Sequence, residues 1–286
     1  MTTALDLVLP AAALWGATAG ALLPRAAYRF SVPAGEEWRA QCLAGHPVKG
    51  WLGRVPCGDC ATTAAPHVPD DEPAVADGEN GPQGPPAPDH ETRTGGAGGN
   101  TKTAPTHAPA PAPLALATAT VCTALALATG TRPELAVWLL LAPVGVLLAV
   151  VDFRVQRLPD PLTLPLAAAA LALLGAAALL PEHAGDWFTS LYAALALGGA
   201  YFVLFLVNPG GMGFGDVKLA LGTGAALGWY GWPTVLLGTF AGFLLGALYG
   251  GALVVVRRAG RKTAIAFGPF LIAGAFAGLL VGAYTV

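Results

Sequence analysis

Residues 208–219 read Asn208-Pro209-Gly210-Gly211-Met212-Gly213-Phe214-Gly215-Asp216-Val217-Lys218-Leu219. The segment separates two long apolar runs and carries one carboxylate, Asp216; apolar sequence resumes directly after Lys218. Pro209 and the glycines Gly210, Gly211, Gly213 and Gly215 are expected to keep the backbone ahead of the acid non-helical and free of bulk. An acid at the start of a membrane helix is costly, so its presence is by default a sign of function. A second acid, Asp152, stands at the end of an earlier apolar run, in Val151-Asp152-Phe153-Arg154.

Working outward, the 286 residues are 55% hydrophobic and only 11% charged, with a mean hydropathy of +0.59. A soluble domain does not have this composition, whereas repeated apolar stretches of roughly 20 residues read as membrane spans. The expected fold class is an all-α polytopic membrane protein with eight transmembrane helices, at about 5–23, 114–131, 134–152, 161–180, 187–207, 217–231, 233–256 and 264–284. The first apolar run has no basic residue before it and carries Arg25 and Arg29 after it, so it reads as a retained span, not a cleaved signal. Fourteen of the fifteen Lys and Arg residues fall on alternating connections of one side, and only Arg132 falls on the other. Positive charge marks the cytoplasmic side, which puts both termini outside and both acids at the cytoplasmic ends of their helices. The expected location is therefore the cytoplasmic (inner) cell membrane, with lipid as surroundings. The formal net charge of -2 gives no footprint for nucleic acid.

Four regions follow. Residues 1–29 form the first transmembrane helix. Residues 30–61 form a cytoplasmic segment with Trp38, Trp51 and three of the four cysteines. Residues 62–113, rich in Pro, Gly, Ala, Thr and Asp, lack the large apolar residues needed to offset ordering entropy and are expected to be disordered. Residues 114–286 form a seven-helix membrane domain.

At the same depth on the same side, Asp152 and Asp216 are placed to face each other. Two close carboxylates share one proton, so that one acts as base toward a water and the other as acid toward a carbonyl. The other reading is two interfacial acids, solvated or paired with Arg154 or Lys218. Helix ends suggest an asymmetry: Asp216 is near a helix N-terminus, which favours an anion, and Asp152 near a C-terminus, which does not. On that argument Asp152 holds the shared proton. Gly213 and Gly215 would let an extended substrate backbone approach the acids.

Met212-Gly213-Phe214-Gly215-Asp216-Val217-Lys218-Leu219 resembles the signature of the type IV prepilin peptidases, members of the GxGD aspartic proteases of membranes. Asp152-Phe153-Arg154-Val155-Gln156-Arg157-Leu158-Pro159-Asp160-Pro161-Leu162-Thr163 is similar to that family's other motif. Further likenesses are Gly16, Gly20 and Arg29 near the start, Cys57-Gly58-Asp59-Cys60, and Ala266-Phe267-Gly268-Pro269-Phe270. The resemblance implies catalysis by Asp152 and Asp216, with Gly213 and Gly215 beside the substrate. Asp160 competes with Asp152 for the first role, although it also starts a helix before Pro161 and is placed to cap it.

The implied activity is removal of the short basic leader from prepilin or pseudopilin-like membrane proteins, as in type IV pilus assembly or protein secretion, with no metal in the cleavage step. The resemblance also implies N-methylation of the new terminus with S-adenosylmethionine, an activity left open here because the cytoplasmic segment is atypical. Cys57 and Cys60 have the spacing of a metal knuckle, and Cys42 and His46 would complete a structural zinc site; free thiols are the alternative. Cys122 reads as a core residue. Three rivals stand beside this reading. One is a transporter using Asp152 and Asp216 as a proton or cation site, another a scaffold displaying residues 30–113, and the third a different GxGD protease.

Overall fold

The computed structural model describes residues 4–33, 35–42, 45–53, 109–209, 211–256 and 266–286. Among them the fold is all-helical. The eight helices, in order, are α1 (Ala4–Phe30), α2 (Pro111–Thr129), α3 (Glu134–Val155), α4 (Asp160–Ala177), α5 (Trp187–Val207), α6 (Phe214–Gly228), α7 (Trp232–Val255) and α8 (Gly268–Thr285). All but α6 are long and apolar enough to cross a membrane, and the chain is a multi-pass membrane protein. α6 has 15 residues, about 22 Å at 1.5 Å per residue, against a hydrocarbon core of about 30 Å. The expected number of helices is matched, but the helix that carries Asp216 is the short one.

Several boundaries differ from expectation, three of them notably. α1 runs on to Phe30 through an internal proline, Pro24. α6 begins at Phe214, so Gly215 and Asp216 lie inside its first turn instead of ahead of it. α8 starts at Gly268, with Pro269 in the first turn, where its missing N–H leaves nothing unsatisfied. Residues 62–108 of the expected disordered insertion lie outside the described residues; its last three residues, from Pro111, already belong to α2.

Small residues set the helix contacts, as they do where lipid removes the hydrophobic drive for association. A Cβ at Gly16 or Gly20 would strike the α2 backbone at 2.7 and 2.5 Å. Gly224 and Gly228 of α6 face Ala194 and Ser190 of α5, and Gly274 of α8 lies against Gly238 and Gly242 of α7. α6 is thereby enclosed: Leu219, Ala220, Ala225 and Leu227 are all buried.

One end of the bundle gathers the C-termini of α1, α3, α5 and α7 and the N-termini of the helices that follow them. Arg157, between α3 and α4, donates to the Pro33 carbonyl at 2.8 Å and lies 4.4 Å from the Trp38 ring centre. Phe30 packs on Trp38 and Trp51, and Arg29 covers Trp51 at 4.0 Å. The described part of residues 31–53 is thus fastened to the membrane helices at this end. At the opposite end, Arg132 donates to the Ala283 carbonyl at 2.7 Å and approaches Glu134 at 3.8 Å, while Trp138 Nε1 donates to the Tyr230 hydroxyl at 3.1 Å.

Candidate active site

Asp152 lies in the last turn of α3, only 4% exposed. The helix stops there because Gln156 adopts a left-handed conformation (φ 54°), its N–H closing on the Asp152 carbonyl at 2.7 Å. The Asp152 Oδ2 accepts the backbone N–H of Gly268 at 3.0 Å. That N–H belongs to the first turn of α8, where backbone donors have no intrahelical partner. A Cβ at Gly268 would lie 2.7 Å from the same oxygen, so the carboxylate occupies the space that any other side chain at 268 would need.

Asp216 lies in the first turn of α6, 7% exposed. Its Oδ2 accepts the Gly213 N–H at 3.3 Å while its own N–H donates to the Gly213 carbonyl at 3.0 Å, a reciprocal arrangement that closes the helix start. Leu158 couples the two halves of the site. A Cβ at Gly215 would sit 2.8 Å from Leu158 Cβ, and one at Gly268 would sit 3.4 Å from Leu158 Cδ1. The α3–α4 connection, the α6 start and the α8 start therefore meet on one leucine. The two carboxylates thus stand at helix ends that meet on Leu158. Among the described residues, neither has an ion-pair partner.

Asp152 and Asp216 come together. Asp160 does not join them: its side chain is 64% exposed and pairs with Lys218 Nζ at 2.7 Å. Nor does it cap α4, whose N-cap is Pro159 with no side-chain cap. Among the described residues, a Cβ at Gly213 would make ordinary contacts with the Asp216 carboxylate at 3.6 Å and the Gly215 nitrogen at 3.9 Å, whereas Gly215 is closed against Leu158. The asymmetry expected from helix ends is not what the geometry shows. Both carboxylates accept a backbone N–H at a helix start, α6 for Asp216 and α8 for Asp152, so helix ends do not distinguish them. The sequence argument counted only the helix on which each acid rides.

Cys42 Sγ lies 3.7 Å from His46 Nδ1, across a turn closed by the Cys42 N–H on the His46 carbonyl at 2.9 Å. Cys57 and Cys60 lie outside the described residues. Among the described ones, no three potential ligands cluster as a metal site would require. Cys122 is buried in α2.

Comparison with known proteins bears on the same region. Residues 139–251 match the type IV leader peptidase family. Three relatives carry the name prepilin leader peptidase/N-methyltransferase. The Aeromonas salmonicida (strain A449) protein is 38% identical over 148 residues, covering 50% of this chain and 48% of that one. The Escherichia coli (strain K12) protein is 36% identical over 139 residues, covering 46% and 57%. The Pseudomonas aeruginosa protein is 33% identical over 156 residues, covering 52% and 48%. The chain thus spans about half the length of the curated relatives it matches. No solved structure matches. The stretch that matches this family includes both Asp152 and Asp216.

Proposed function

We propose that this chain is a membrane aspartic endopeptidase that removes the short basic leader of prepilin or pseudopilin-like proteins at the cytoplasmic face of the inner membrane. Asp152 and Asp216 are its catalytic pair. The observation that carries the reading is the pair itself: two buried carboxylates from different helices, each held by one backbone N–H, with no cation beside either among the described residues.

Two such carboxylates cannot both ionise cheaply and share one proton. The ionised member takes a proton from a water, whose oxygen attacks the carbonyl carbon of the scissile peptide. The protonated member gives its proton to the carbonyl oxygen. The resulting diol collapses, the C–N bond breaks, and the leaving nitrogen takes up a proton. The products are a leader ending in a carboxylate and a shortened protein with a new amino terminus. Gly213 leaves room for the substrate backbone beside Asp216. An apolar cavity of about 590 Å³ adjoins the site through Phe153, Arg154, Leu219 and Pro269 and runs toward Trp138 and Leu279; it suits a hydrophobic segment. The bias of basic residues supports the cytoplasmic placement.

The relatives' name supports N-methylation with S-adenosylmethionine as a second activity. The apolar lining of the cavity does not suit that charged cofactor, and no residue is assigned to hold it. Cys42 and His46, side by side, fit two corners of a structural zinc knuckle, which Cys57 and Cys60 would complete. The transporter reading is not favoured, because both acids sit at helix ends of one face and not at breaks near mid-membrane.

Co-expression with prepilin-like candidates tests the proposal, the leader being followed by gel shift and the new terminus by mass. Cleavage after a glycine at the leader boundary is expected, and the same mass reports any methyl group. Intact precursors throughout, together with an Asp152-dependent proton flux in vesicles, would replace this reading with the transporter.

A further inference from the structure

Tyr201 lies within the last two turns of α5 and is 1% exposed. Its ring packs on Phe243 at 5.8 Å and Phe267 at 6.1 Å between centres, and Phe267 is the N-cap of the helix whose Gly268 N–H holds Asp152. The antiparallel register of α5 on α6 is fixed by glycine contacts: Gly228 on Ser190, Gly224 on Ala194, and Gly198 on Leu221. Continued by three residues, it brings Tyr201 level with Val217 and Lys218, directly after Asp216 at the start of α6. Consistently, Tyr201 shares a core cluster with Leu158, Val217 and Leu219.

The hydroxyl at the end of this side chain has no hydrogen-bond partner among the described residues. Other buried hydroxyls in the bundle bond back to their own helix, as Thr118 does to Leu114, Ser190 to Asp186 and Thr223 to Leu219. The tyrosine hydroxyl, at the far end of a rigid ring, cannot reach its own helix backbone in that way. Burying an unpaired hydroxyl costs free energy, and phenylalanine would fill the same space without the cost. Most other orphaned polar atoms, those of Thr129, Arg132, Glu134 and Trp229, belong to the opposite end. Tyr201 belongs to the end that holds the aspartates.

We propose that Tyr201 is a third catalytic residue, whose hydroxyl donates a hydrogen bond to the carbonyl oxygen of the scissile peptide as that oxygen gains negative charge. The inference rests on the endopeptidase reading. The aspartate pair has one proton to give to this oxygen; a neutral donor fixed in a water-poor site stabilises the same charge without giving up its proton. The partner missing from the free enzyme arrives with the substrate. A position held for a transition state is expected to carry a donor that is unsatisfied in the resting protein.

The test is Tyr201→Phe in the full-length chain in detergent, which keeps the ring and removes only the hydroxyl. Leader cleavage, its pH profile and thermal unfolding are measured beside wild type. The expected result is a kcat lower by about 100-fold, the loss typical of one missing oxyanion donor, with KM and the pH profile unmoved and the unfolding temperature equal or higher. An unchanged kcat overturns the proposal. So does a fall in kcat accompanied by a displaced pH profile, which would make the hydroxyl a positioning group acting through the aspartates. If wild type itself cleaves no prepilin, the endopeptidase reading fails first, and this inference with it.

Discussion

The bundle buries acid at both ends, but in different ways. At one end Glu134 is fully buried, and Arg132 stands 3.8 Å away with its other nitrogen on the Ala283 carbonyl. At the other end, Asp152 and Asp216 are nearly as buried, each accepts a backbone N–H, and among the described residues neither has an ion-pair partner. An acid with a cation is neutralised and can serve to tie helix ends together. Two acids left close together without one keep their chemistry available, and nothing in packing alone calls for them. The contrast suits a structural role for the Arg132–Glu134 end and fits the proposed reaction at the other.

The effects expected on cleavage descend from the aspartates outward. Replacing either by asparagine removes the base or the acid and should lower the rate by about a thousandfold or more, read as intact precursor on a gel. Gly268→Ala should follow at about 100-fold, because its Cβ would displace the Asp152 carboxylate and a shift near 1 Å in a reacting group costs about that much. That variant should keep its fold, since the conflict is with one side-chain oxygen. A Gly268→Ala enzyme with wild-type kcat would show that the Gly268 contact does not position Asp152.

Smaller effects come from the ion pairs. Lys218–Asp160 joins the start of α4 to the turn that carries Asp216. Its acid is largely exposed, so the pair is worth only about 0.2–1 kcal/mol. Asp160→Asn should slow cleavage no more than a few-fold, and restoring a pair by the double exchange Asp160→Lys with Lys218→Asp should recover part of the loss. Glu134→Gln should leave the rate per folded molecule unchanged and lower the unfolding temperature, because Arg132 loses its carboxylate; breaking a buried pair costs about 3–5 kcal/mol, less here because Arg132 is partly exposed. A Glu134→Gln protein that is stable but inactive would erase the distinction between the two ends.

Much of this was legible before any coordinates. Apolar runs give eight helices, and alternating basic residues indicate which ends share a side. Glycine-rich sequence before an acid marks Asp216, and the resemblance picks out Asp152. What local sequence does not carry are contacts closed across the fold. Gly268 stands in a recognisable motif, but its partner is 116 residues away, so its role as a cradle for a carboxylate is invisible until α8 is placed against α3. The helix-end argument about the shared proton failed for the same reason: the α8 start that offsets the α3 end is distant in sequence. Asp160 read as a cap because caps are local, whereas its partner Lys218 lies on α6. Tyr201 gives no signal at all, since one tyrosine in a run of Ala, Gly, Leu and Phe reads as core. What separates it from the rest is a buried hydroxyl with no partner among the described residues, at the end that holds Asp216.

The decisive measurement is leader cleavage by four purified proteins on one prepilin substrate: wild type, Asp152→Asn, Asp216→Asn and Glu134→Gln, each confirmed folded by thermal unfolding. Wild type and Glu134→Gln should release the leader at equal rates per folded molecule, with both aspartate variants inert. Cleavage by either aspartate variant at a rate near wild type would contradict the assignment of the reaction to this pair.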